Sequence, residues 1–164
     1  IRNITGLRLI EKSGRSPALT FTVPPTDPRE TYTILLYSHI DTIPIGEGWK
    51  YEQGRYVDQH VYGRGSANGG YALYSIVNLI NALQKQEKSD ELENGIYLPR
   101  IMVLIDSYKE SGSEGLAEIA LELGYTPNLI YCLEGENFSG NCFNAYTNLN
   151  LKMYSRSYVF SVLT

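Results

Sequence analysis

Three short runs in this chain are apolar almost without a break: Thr33 to Tyr37 (TILLY), Arg100 to Ile105 (RIMVLI) and Asn128 to Leu133 (NLIYCL). A strand with one face in water alternates apolar and polar residues, whereas a run that does not alternate must be covered on both faces. Helices have to supply that cover, and the chain offers two. From Tyr71 to Gln86 the residues Leu73, Ile76, Val77, Ile80 and Leu83 recur at helical spacing and form one stripe. Asn68 is placed to cap the start of that helix. A second helix is expected from Glu114 to Leu123, with Ser113 as its cap and Gly124 as the residue that ends it.

Further strands are expected at Ala18 to Val23, which alternates, and at Tyr146 to Tyr154 and Tyr158 to Leu163. The prolines of Pro24-Pro25-Thr26-Asp27-Pro28 end the first of these, because proline lacks a ladder donor. The polar stretch from Gln86 to Tyr97 reads as an exposed loop. Strands that alternate with helices imply an α/β fold: a mixed, largely parallel central sheet flanked by helices. In such sheets ligands gather beyond the carboxyl ends of the strands. The polar residues worth attention fall there. His39 and Asp41 follow the first apolar run, Lys109 and Glu110 the second, Glu134 and Glu136 the third.

Composition narrows the function classes. With 164 residues the chain is long enough for one domain with a substantial core. A net charge of -4 gives no electrostatic case for nucleic acid or an anionic membrane, which need clustered Lys and Arg. No apolar run reaches the roughly 20 residues that span a bilayer. Ile1-Arg2-Asn3 carries neither a signal-peptide pattern nor an initiator Met, so the numbering is expected to begin inside a longer product. Cys132 and Cys142 make no metal knuckle and no disulfide framework. They are expected to be free thiols in a reducing compartment, the cytoplasm or an organelle matrix.

Each polar segment taken singly is ordinary. His39-Ile40-Asp41 turns two polar side chains to one side of an extended backbone and Ile40 to the other. Glu110 in Lys109-Glu110-Ser111-Gly112-Ser113 reads as a charged turn before a helix. In sequence order, however, the segments resemble a known family. Tyr37-Ser38-His39-Ile40-Asp41-Thr42-Ile43-Pro44, with Gly48-Trp49 after it, is similar to the histidine segment of the dizinc peptidases and deacylases that include carnosinases, aminoacylases and succinyl-diaminopimelate desuccinylase. Val61-Tyr62-Gly63-Arg64-Gly65-Ser66-Ala67-Asn68-Gly69-Gly70 resembles the family's YGRG segment. Glu110-Ser111-Gly112-Ser113-Glu114-Gly115-Leu116 resembles its glutamate segment, and Cys132 to Phe138 its fourth ligand segment. The resemblance runs from about Ser13 to Phe138 and is closest to the carnosinase-like branch.

In that family one carboxylate bridges two zinc ions, and each ion takes a His and a further carboxylate. A free glutamate accepts the proton of the attacking water. Carried over to this chain, the resemblance makes His39 a zinc ligand with Asp41 as its orienter. It makes Glu110 a carboxylate of the other zinc, and Glu134 or Glu136 the last ligand. Two positions depart. Asn68 stands where the family has its bridging Asp, and a neutral amide cannot supply two anionic oxygens. Lys109 stands where the family has its general-base Glu, and an ammonium cannot accept a proton. The family's later His ligand has no match either, since His60, the other histidine, precedes the YGRG segment and is expected in a loop.

Residues 1–145 are therefore expected to form a partial catalytic domain of this type, and 146–164 strands at the start of a lid or at a sheet edge. The expected function is that of a degenerate, catalytically inactive domain that serves other protein chains in an assembly, with no cofactor, or with zinc if the site is retained. The alternative is a divergent metal-dependent hydrolase of small peptides or N-acyl amino acids that uses His39, Glu110 and Glu134 or Glu136 around one ion.

Overall fold

In β3 (Thr33–His39) and β6 (Arg100–Asp106), which lie side by side, nearly every residue is buried. The computed structural model describes residues 4–86, 98–124, 126–133, 149–154 and 157–162. In chain order its elements are β1 (Thr5–Ile10), β2 (Ala18–Val23), β3, β4 (Arg55–Val57), β5 (His60–Tyr62), α1 (Tyr71–Gln86), β6, α2 (Leu116–Leu121), β7 (Leu129–Cys132), β8 (Leu149–Tyr154) and β9 (Ser157–Val162). The main sheet has the order β1-β2-β6-β3-β7. β6, β3 and β7 are parallel, β2 runs against β6, and β1 runs against β2. Only β2 therefore opposes the common direction, and the mixed, largely parallel α/β sheet is the one expected.

The pleat sorts the apolar run of β6 between two cores. Met102 and Leu104 pack with Leu35, Tyr37, Ile130 and the α2 residue Ile119. Ile101, Val103 and Ile105 point the other way and meet Phe21, Leu36 and the α1 residues Ile76 and Ile80. This is why the run does not alternate: both of its faces are interior. Burying each of these side chains contributes about 1.5–3 kcal/mol.

The two helices cover opposite faces, and that decides where a site can form. The chain leaves β3 toward α1 on one face and leaves the adjacent β6 toward α2 on the other. Neighbouring strands whose connections part in this way open a crevice at their carboxyl ends. That crevice lies beyond His39 and Asp106, which are register partners.

Several local expectations are corrected. α2 begins at Leu116 rather than Glu114, and left-handed Gly115 sits at its cap; Ser113, with a φ of 52°, makes no capping hydrogen bond. Gly124 does follow the helix in the left-handed region, as expected. β1 and the β4–β5 hairpin were not foreseen. β1 is an edge strand whose burial pattern is exposed until Ile10, so it has no clean alternation to announce it. The hairpin turns through Asp58 and Gln59, both at positive φ, as a two-residue type I′ turn requires, yet without the usual Asn-Gly or Asp-Gly signal. His60 thus lies in a strand and not in a loop; its Nδ1 donates to the Asp58 carbonyl at 2.6 Å. β8 and β9 pair with each other as a separate two-stranded sheet. The stretch 87–97, Glu134, Glu136 and Cys142 lie outside the described residues, so the loop, ligand and thiol expectations placed on them do too. Cys132 is the last residue of β7 and is half-buried.

One interaction fixes the end of β6. The Asp106 carboxylate is fully buried and forms an ion pair with Arg15, whose side chain is itself 2% exposed. The Tyr37 hydroxyl donates to Asp106 at 3.4 Å and the Tyr108 N–H at 3.1 Å. Removing one member leaves the other charge buried and unpaired. Asp106→Ala is therefore expected to destabilise the domain by about 3–5 kcal/mol, and breaking the exposed Asp27–Arg29 pair by Arg29→Ala is expected to leave the midpoint nearly unchanged. Urea denaturation followed by circular dichroism measures both, and similar midpoints for the two variants would refute the central role of the buried pair.

Candidate functional site

His39 is the last residue of β3 and its side chain is 1% exposed. The following residue, Ile40, donates its N–H to the Asp106 carbonyl at 2.9 Å, so the strand end is still held by β6 as the chain turns away. Asp41 then folds back onto the imidazole. His39 Nδ1 lies 3.0 Å from the Asp41 carbonyl oxygen and 3.3 Å from its Oδ1. Both neighbours are acceptors, so the hydrogen belongs on Nδ1 and the basic nitrogen is Nε2. The other Asp41 oxygen accepts the Glu110 N–H at 2.8 Å. A single carboxylate thereby orients the imidazole and pins the segment after β6.

Asn68 reaches the same imidazole from the third side. The turn Ser66–Gly70 precedes α1 as a single wide helical turn interrupted at Asn68, whose φ of -127° and ψ of 115° are extended. The Asn68 side chain was expected to cap α1. Instead its Oδ1 lies 3.1 Å from His39 Nε2, and no side chain caps the turn. The extended backbone accounts for the change, since it aims the amide at the strand end rather than along the helix. The oxygen and nitrogen ends of an amide exchange by a half-turn about χ2. The NH2 end suits a basic Nε2 alone, and the oxygen end suits sharing a cation with it.

Gly69 makes this approach possible. Its φ is +86°, and a Cβ there would stand 2.6 Å from the His39 carbonyl oxygen and 3.4 Å from the ring carbon Cε1. A side chain at this position meets both backbone strain and a backbone clash.

Glu110 and Lys109 complete the group. Glu110 Oε1 lies 4.0 Å from His39 Nε2 and accepts a hydrogen bond from Lys109 Nζ at 3.1 Å. His39, Asp41, Asn68, Lys109 and Glu110 therefore meet in the crevice between β3 and β6. The aspect that sequence reading missed is the buried frame behind them: Arg15, Tyr37 and Asp106. A carboxylate closing an otherwise apolar strand was the available signal, because such a charge is buried only with a partner.

A pair of zinc ions does not fit the donors described. Asn68, at the position to which the sequence resemblance gives the bridging role, is a neutral amide, and the Glu110 carboxylate already holds the Lys109 ammonium. Among the described residues no three His, Cys, Asp or Glu side chains come together as a metal group. His39, oriented through Nδ1 with Nε2 facing the crevice, keeps the form of a metal-ligating imidazole by itself.

Comparison with known proteins places the fold. No family model matches the chain, and no curated protein matches it. Solved structures do. Human carnosine dipeptidase 1 superposes with a TM-score of 0.60 at 21% identity, over 76% of this chain and 27% of that one. The dipeptidase Dug1p of Saccharomyces cerevisiae gives 0.58 at 19% identity, over 80% and 28%. Aminopeptidase PepT of Bacillus cereus gives 0.56 at 23% identity, over 80% and 34%. At these identities the likeness is one of fold. The matched region spans about a third or less of each of these chains, so the described α/β sheet is a peptidase-like fold seen over part of a peptidase's length.

The role of Gly69 is testable without any activity. Gly69→Ala is expected to cost about 1–3 kcal/mol and to shift the His39 imidazole resonances in NMR. Gly54→Ala makes a control, since Gly54 also has a positive φ but a Cβ there meets nothing within 4 Å. Equal effects of the two variants on the His39 ring would sink the idea that Gly69 seats Asn68 against it.

Proposed function

We propose that this chain is a degenerate metallopeptidase-like domain that does not hydrolyse peptides and serves as a structural or interaction subunit. The observation that carries the reading is the Lys109–Glu110 pair, with Nζ 3.1 Å from Oε1, beside His39 and Asn68. An internal ammonium neutralises the carboxylate that a metal would need. A second cation a few ångströms away meets repulsion of about 4 kcal/mol per unit charge at an effective dielectric near 20. The same lysine stands at the position that the sequence resemblance gives to the proton acceptor. Loss of a general base costs on the order of 100- to 10,000-fold in rate. Two defects in one site reinforce each other: the water has no base, and no anionic bridge holds metal to activate it.

The second reading is a mononuclear metal-dependent hydrolase built on His39, Asn68 and Glu110, with Glu134 or Glu136 as a further ligand. It is favoured by one feature, the preserved orientation of the imidazole by Asp41. Zinc is the metal that such a donor set would take.

The surface supports association with other chains. Leu9 pairs with Leu19, whose side chain joins the core under α1, yet Leu9 is 60% exposed. Leu7 on the same edge strand and Tyr74 and Val77 on α1 are exposed as well. Apolar surface at an unpaired sheet edge favours pairing. The segment Tyr146 to Leu163 is the other candidate for such a contact. No helix among the described residues is long and apolar enough to cross a membrane.

Two measurements separate the readings. Zinc titration by calorimetry is expected to give weak binding for the wild type. Asn68→Asp with Lys109→Glu, which restores two carboxylates and removes the ammonium, is expected to bind zinc on the order of 100-fold more tightly. Wild-type protein that holds zinc tightly and cleaves dipeptides would overturn the first reading and establish the second. Sedimentation velocity at micromolar concentration, on protein purified with whatever accompanies it, is expected to show a species larger than the monomer. A clean monomer would end the subunit reading.

A further inference from the structure

Beside the His39 crevice lies a second concavity, a groove of about 350 Å3 walled by Ile40, Thr42, Val61, Tyr62, Leu73 and the segment around Arg64. Arg64 is its only charged lining residue among those described. The backbone N–H of Arg64 donates to Gln53 Oε1 at 2.7 Å, which fixes the residue in place. Its guanidinium carbon sits 5.3 Å from the centre of the Trp49 ring, the distance of a cation–π contact. The guanidinium Nε is shut off from solvent and meets no acceptor among the described residues. The buried Arg15, by contrast, finds oxygens: it reaches Asp106 and the Glu114 carbonyl.

A desolvated guanidinium nitrogen without an acceptor is costly. Trp49 offers the cation a π-face but no lone pair in the plane of the fork. Arg64 as a whole is only half-buried and lines the groove, so the accessible part of its fork can receive an oxyanion there, since the fork of arginine matches a carboxylate edge-on. The walls set its class. One positive charge, with no lysine or second arginine among the described lining residues, suits a monoanion better than a dianionic phosphate. Ile40, Val61 and Leu73 suit a short aliphatic body, and the volume falls in the range of small-molecule sites. We propose that this groove binds a small aliphatic monocarboxylate, with Arg64 as the anion receptor and Trp49 as the platform that holds it.

The groove is independent of the metal question, because neither Lys109 nor Glu110 lines it. It is nevertheless built from the same two segments as the crevice: Ile40 and Thr42 flank the His39–Asp41 strand end, and the turn that carries Asn68 forms its floor through Ser66 and Gly70.

Trp49 is the only tryptophan in the chain, so its fluorescence reports on this site alone. Titration with isobutyrate at constant ionic strength is expected to give a saturable change. Isobutyramide, of the same shape without the charge, is expected to give none, and inorganic phosphate a weaker one. Arg64→Gln is expected to lose at least tenfold in isobutyrate affinity. The side-chain Nε–H resonance of Arg64 in the wild-type protein gives a second readout that needs no variant, and it should shift on titration with isobutyrate. An equal response to isobutyramide would overturn the proposal, as would phosphate binding more tightly than isobutyrate. So would an Arg64 Nε–H that is unmoved by every probe, the result expected if a carboxylate from elsewhere in the chain already occupies the fork.

Discussion

The buried pair between Arg15 and Asp106 is the point on which the rest of the domain leans. Asp106 closes β6 at the centre of the sheet, where water is absent, and its charge is tolerable only because Arg15 comes in from the turn between β1 and β2. Arg15 continues past Asp106: it donates to the Glu114 carbonyl at 2.7 Å and lies over the Tyr108 ring at 5.5 Å. One side chain therefore joins the edge hairpin, the central strand and the loop that carries Lys109 and Glu110. The Asp106 carbonyl, in turn, receives the Ile40 N–H and holds the end of β3 where His39 is presented. The polar site is positioned from behind by a buried charge pair.

How much of this was legible in the sequence depended on which force shaped each part. Burial on both faces leaves an unmistakable trace, so the runs at 33–37 and 100–105 and the stripe from Leu73 to Leu83 yielded β3, β6 and α1, the helix with the bounds Tyr71–Gln86. Edge position leaves little trace. β1 keeps Leu7 and Leu9 in solvent and so shows no alternation between buried and exposed residues to read. The His39, Asp41, Asn68, Lys109 and Glu110 segments could be aligned by resemblance, and the structure brings those five together. What spacing could not disclose was the direction of each side chain. Asn68 was read as a helix cap from its place before α1, whereas its extended φ and ψ, permitted by the left-handed Gly69 beside it, point the amide at His39. Arg15 carried no signal at all, because its partner lies 91 residues away.

On the reading proposed above, Asn68 and Lys109 bear on different parts of a single chemistry. An amide at position 68 keeps the shape and a hydrogen bond to Nε2 but contributes no charge. A lysine at position 109 adds charge of the wrong sign and delivers it to Glu110, the carboxylate that lies 4.0 Å from His39 Nε2. Asp41 is unaffected by either, because its two oxygens serve the imidazole and the Glu110 N–H. On that reading the orienting framework survives where the cation-binding charge balance does not. That asymmetry is what a scaffold retained for its shape would display, since packing and backbone hydrogen bonds constrain Asp41, Gly69 and Asp106 regardless of any reaction.

The groove at Arg64 gives the retained framework a different consequence. Gly65, at a φ of +86°, lets the YGRG turn approach so closely that a Cβ there would lie 2.6 Å from the Thr42 methyl group. The turn and the strand end after β3 are consequently in direct contact, with the His39–Asn68 hydrogen bond on one side and the Arg64 guanidinium on the other. An anion drawn to Arg64 would order the segment from Gly63 to Ser66, which continues into the turn bearing Asn68. An imidazole held between Asp41 and Asn68 is sensitive to that ordering through the position of one amide. If the groove is occupied as proposed, that contact is the route by which occupancy would reach the geometry at His39, with or without a metal in the crevice.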